Sequence, residues 1–90
     1  MGHLKDNSEL IARVRRIAGQ VTSVEKALVS DAPCATVLHR VAAVRGAVNG
    51  LLDEIIAQHL TAHVAAQGLS DDERAAGADD LLAVIRRYSK

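Results

Sequence analysis

Ninety residues with no Phe, no Trp and a single Tyr make at most one small domain, with too little bulk for a private core, so helices packed on those of a second copy are expected. No apolar run nears a membrane span, the polar N-terminus lacks the apolar stretch of a signal peptide, and one cysteine excludes an internal disulfide; a cytoplasmic chain with a reduced thiol and no membrane partner is the expectation. The formal net charge is zero, yet residues 1–52 hold seven basic side chains against four acidic and residues 53–90 the reverse, so an assembly could turn a basic face to DNA.

Helix 1 is predicted over about 6–29. Asp6 can cap the N–H of Glu9 while Glu9 reaches back. Leu10, Val14, Ile17, Val21, Val24 and Leu28 step by 4, 3, 4, 3 and 4, a heptad seam. Ser30-Asp31-Ala32-Pro33 ends this helix and begins the next, with Asp31 as cap and Pro33 in a first turn. Helix 2 is predicted over about 32–67, stopped by Gly68. Its seam is Val37, Val41, Val44, Val48, Leu51 and Ile55, and Leu38, Leu52, Ile56 and Leu60 widen it enough to meet two neighbours. Ser70-Asp71-Asp72-Glu73 reads as a capping box opening helix 3, about 71–88, with Leu81, Leu82, Ile85 and Tyr88 on its apolar face. Gly77 should weaken that helix by about 1 kcal/mol relative to Ala. Nothing signals a strand, so the fold expected is all-α, one domain over 1–90.

Three potential soft-metal ligands stand out. His59 and His63, at i and i+4, leave one helix face close enough to share an ion. Cys34 lies in the first turn of the same helix, beside unpaired N–H groups that suit a thiolate, the form that binds metals and attacks electrophiles. At ~1.5 Å per residue it is roughly 38 Å from His59, so one chain cannot close the set. Two antiparallel copies can, each bringing its Cys34 to the other's histidines. Midway, Gly46 and Gly50 offer room for a second helix at a two-fold axis, or for packing against helix 1 or 3.

His3 is a fourth candidate, beside an α-amino group that loss of Met1 would free. More than four ligands, rich in nitrogen with one sulfur, suit six-coordinate Ni(II) or Co(II) better than Cu(I) or tetrahedral Zn(II), with Zn(II) as an alternative occupant. His39 reads as a surface or core position. No acid–base or nucleophile–base pair stands out, so neither an enzyme nor an organic cofactor is expected. Arg13, Arg15 and Arg16, with Lys5 before them, would ordinarily be a solvated face, but repeated in a tetramer they would offer a large positive surface to phosphates. Aromatics for stacking on single-stranded bases and a helix–turn–helix are both lacking.

Ala42-Ala43-Val44-Arg45-Gly46-Ala47-Val48-Asn49-Gly50-Leu51, preceded by Arg13-Val14-Arg15-Arg16-Ile17-Ala18-Gly19-Gln20, resembles the CsoR/RcnR/FrmR family of small all-helical bacterial repressors, and the resemblance covers essentially the whole chain. It implies three-helix protomers in an antiparallel helix-paired dimer, two of which form a disc-like tetramer. It implies double-stranded operator DNA as partner, held by Lys5, Arg13, Arg15, Arg16 and Arg45, and release of DNA when an effector occupies the Cys site. Copper sensors of the family look like Cys, His, Cys; here the third position is His63. Persulfide sensors need a second cysteine. Nickel/cobalt sensors look like an N-terminal His, then Cys, His, His, which maps onto His3, Cys34, His59 and His63. Formaldehyde sensors use an N-terminal Pro and the Cys, commonly with Glu at the third position. This chain has Gly2 and His63 there, though Asp71-Asp72-Glu73-Arg74 onward resembles that branch. The Gly2 amine and Cys34 thiol could still trap an aldehyde as a methylene bridge. A metal buffer or plain helical assembly module without a DNA role is the third expectation.

Overall fold

A computed structural model describes residues 7–88. It contains three helices, α1 (Asn7–Val29), α2 (Cys34–His63) and α3 (Asp71–Tyr88), and no strand among the described residues. No helix there is long and apolar enough to cross a membrane. The described residues form two compact units, 7–52 and 53–88, and α2 contributes to both.

In the first unit α1 and the first part of α2 run antiparallel. The Arg13 guanidinium of α1 lies beside Gly50 of α2, and ten residues further along α1 the Ser23 carbonyl accepts a 3.0 Å hydrogen bond from Arg40, ten residues back along α2. The α1 seam divides in two. Leu10 is buried and Ile17 and Val24 half-buried, whereas Val14, Val21 and Leu28 remain 50–63% exposed. On α2, Val37, Val44 and Leu51 are half-buried while Val41 and Val48 are exposed. One line of each heptad is thus covered within the chain and the other is open. Leu10 and Ala27 are the buried apolar residues.

The α1–α2 junction differs from the expectation. Asp31 does not cap α2; it terminates α1 in the left-handed region, at φ 58°. Its N–H reaches the Leu28 carbonyl at 3.2 Å and the Ala32 N–H reaches Ala27 at 2.9 Å, the paired bonds of a Schellman ending. Helix α2 therefore starts at Cys34, with the Pro33 carbonyl accepting from Thr36 and Val37.

The other end of α2 stops at His63, short of Gln67. The N–H groups of Val64 and Ala65 both close on the Leu60 carbonyl, and the chain turns through Gly68 at φ 84°. In the second unit the capping box forms as the sequence suggests. The Ser70 N–H donates to Glu73 Oε1 at 2.8 Å and the Glu73 N–H to Ser70 Oγ at 3.0 Å. These bonds, the backbone one first, lower the Glu73 pKa from its ordinary 4.5. Arg74, in the same first turn, donates to the carbonyls of Val64 and Ala66, which α2 leaves unpaired as it ends.

Candidate effector site

Helix periodicity brings His59 and His63 together in the last turns of α2, both half-buried, with ring centroids 4.9 Å apart and planes tilted by 40°. Two imidazoles that share an ion through bonds of about 2.1 Å sit with ring centres roughly 4.5–5.3 Å apart, for bond angles between octahedral and tetrahedral. The pair fits a single cation. Cys34 is the exposed first residue of the helix that His63 closes. Among the described residues no three His, Cys, Asp or Glu side chains converge on one point. His39 is exposed. His3, Gly2 and Lys5, and the Asp6 cap, lie outside the described residues.

Helix α3 supports the histidine pair through a residue that the sequence marked only as a weak point. The Gly77 carbonyl oxygen lies 2.9 Å from His59 Nε2. A carbonyl only accepts, so the ring nitrogen donates. Gly77 is buried, and a Cβ there would stand 2.8 Å from both the carbonyl carbon and the Cβ of His63. Backbone cannot swing aside as a side-chain tip can, so α3 reaches this position only with glycine. The available signal was a glycine inside an otherwise helical segment. Arg74 was also missed, since nothing in the sequence distinguishes a guanidinium that closes a helix end from a solvated one.

The basic candidates divide by environment. Arg15 and Arg16 on α1 and Arg45 on α2 are exposed, as phosphate contacts require. Arg13 is half-buried, with its Nη2 3.1 Å from where a Cβ on Gly50 would stand. Gly50 thus packs against α1 within the chain, whereas Gly46 has nothing within 4 Å.

Residues 6–87 match the family model described as metal-sensitive transcriptional repressor. The transcriptional repressors named RcnR from Escherichia coli (strain K12) and Salmonella arizonae are each 43% identical over the full length of both chains. An uncharacterized protein encoded in the bioA 5′ region of Serratia marcescens is 43% identical, over 96% of this chain and 94% of its own. Among solved structures, a glutamate-to-histidine variant of the formaldehyde-responsive regulator FrmR from Salmonella enterica serovar Typhimurium superposes with a TM-score of 0.87. It is 40% identical, covering 93% of this chain and 94% of that one.

Proposed function

Because the chain belongs to the metal-sensitive transcriptional repressors, a family of DNA-binding regulators and not of enzymes, we propose that it is a Ni(II)- or Co(II)-responsive repressor of a metal-efflux gene. The observation that carries this reading is the His59–His63 pair, spaced for one cation at the end of a helix whose first residue is Cys34. The two ends of one helix cannot meet, so Cys34 of one protomer and His59 and His63 of its partner would hold the ion, joined by His3 and the N-terminal amine. The open line of Val14, Val21, Leu28, Val41 and Val48 supports a second copy packed antiparallel on the first. Full-length identity of 43% to repressors named RcnR supports nickel or cobalt over Zn(II) as effector.

The positive surface from Lys5, Arg15, Arg16 and Arg45, with Arg13 at its edge, would hold double-stranded operator DNA in the metal-free assembly. Effector binding would favour the arrangement with lower DNA affinity. A hundredfold release needs about 2.7 kcal/mol of differential binding, within reach of several ligand bonds.

One observation favours a second reading, formaldehyde as the effector. The superposed structure is a variant of a formaldehyde-responsive regulator. In that case the Gly2 amine and Cys34 thiol would condense with the aldehyde, losing water to leave an N–CH2–S bridge, and His63 would be incidental.

The deciding experiment is fluorescence anisotropy of the metal-free protein on its own upstream DNA, titrated separately with Ni(II), Co(II), Cu(I) and formaldehyde. Release at near-stoichiometric Ni(II) or Co(II), abolished by Cys34→Ala and by His63→Ala, is expected. Release by formaldehyde with the metals inert would transfer the chain to the second reading.

A further inference from the structure

We propose that Gly77 is a positioning residue for His59, selecting the ring tautomer that offers Nδ1 to a cation. The inference rests on the metal-sensor reading only for the identity of what Nδ1 meets. The Nε2–H bond to the Gly77 carbonyl fixes the proton on Nε2. A neutral imidazole carries one proton, so Nδ1 holds the lone pair. A ring nitrogen that ligates a metal is commonly backed by the other nitrogen donating to a carbonyl or carboxylate, and the Gly77–His59 bond has that form. Nδ1 is also the nitrogen next to the side-chain stem, which keeps a bound ion close to the surface of α2.

Gly77 does this because it has no side chain. A Cβ would collide with the backbone of His63, one turn from His59, and any retreat of α3 that relieved the collision would stretch the bond to His59. The start of α3 is anchored independently by the Ser70–Glu73 box and by Arg74 on the end of α2, so position 77 arrives at a defined height along the histidine pair. One glycine therefore sets the distance between the helices and supplies the acceptor that orients the ligand ring.

The test uses the full-length 15N-labelled protein, metal-free and mildly alkaline, with long-range 1H–15N spectra to assign the protonated nitrogen of His59. The expected wild-type ring is protonated at Nε2. Gly77→Ala should give a tautomer mixture and bind Co(II), followed by its absorption bands, about 10- to 100-fold more weakly. A wild-type ring protonated at Nδ1 overturns the proposal. So does a folded Gly77→Ala chain with the wild-type tautomer and Co(II) affinity. If Gly77→Ala does not fold, the wild-type spectrum decides alone. If the tautomer is as expected and responds to Gly77→Ala, but wild type binds no Co(II), the positioning role stands and the metal-sensor reading falls.

Discussion

Asp31 holds the left-handed backbone of the α1–α2 junction without the freedom a glycine would have. Its side chain accounts for no hydrogen bond of the Schellman ending, which is made by backbone groups alone. Asp31→Gly should therefore stabilise the protein by about 1 kcal/mol, read as a higher urea midpoint at unchanged slope. An unchanged or lowered midpoint would mean that the carboxylate has work elsewhere. This junction also shows what a sequence hides. An aspartate before a proline reads equally as the last residue of one helix or the cap of the next, and only the sign of φ separates the two. Gly77 was obscured for a different reason. Its role depends on His63 and His59, 14 and 18 residues away, and no local rule joins those positions.

Among elements, α3 is the one whose start is most fully specified. Ser70→Ala should cost about 1 kcal/mol, because the Glu73 N–H loses its acceptor. The pH dependence follows from Glu73, whose folded pKa lies below its ordinary value of 4.5. Its stabilising contribution is complete above that ordinary value and is lost as pH falls through the lowered, folded one. The stability difference between wild type and Glu73→Gln, measured by urea unfolding at a series of pH values, should therefore shrink in acid and level off above the ordinary carboxylate range. The helices themselves were legible because a seam stepping by three and four has few other meanings, and the Ser70–Glu73 box because its four residues carry the whole motif. The early stop of α2 was not legible: Val64 to Gln67 contains no strong breaker, and Arg74, ten residues beyond Val64, satisfies the carbonyls that let the chain leave the helix.

On the scale of the whole molecule, the candidate site is incomplete in a single chain, and that has a direct test. Cys34→Ala and His63→Ala should each abolish metal response alone. Mixed after unfolding and refolding together, they should recover about a quarter of the wild-type sites, since half of randomly paired dimers join unlike chains and each of those holds one intact set. No recovery would argue against a site shared between copies. Gly46 gives a second test. With nothing near it in the single chain, Gly46→Ala should gain about 1 kcal/mol of helix propensity. If a partner helix crosses there, sedimentation velocity should instead show a weakened dimer. The ligand set could be listed from the sequence, but its supporting bond and the half-covered seam required coordinates, because both depend on which faces meet.

The open line of Val14, Val21, Leu28, Val41 and Val48 ties the survival of the chain to its abundance. A protomer with so little buried apolar surface would be marginal alone, so its melting temperature should rise with protein concentration. Newly made copies would remain substrates for proteases until they met a partner. A regulator of this kind would have a threshold of synthesis below which it silences nothing, whatever the metal supply.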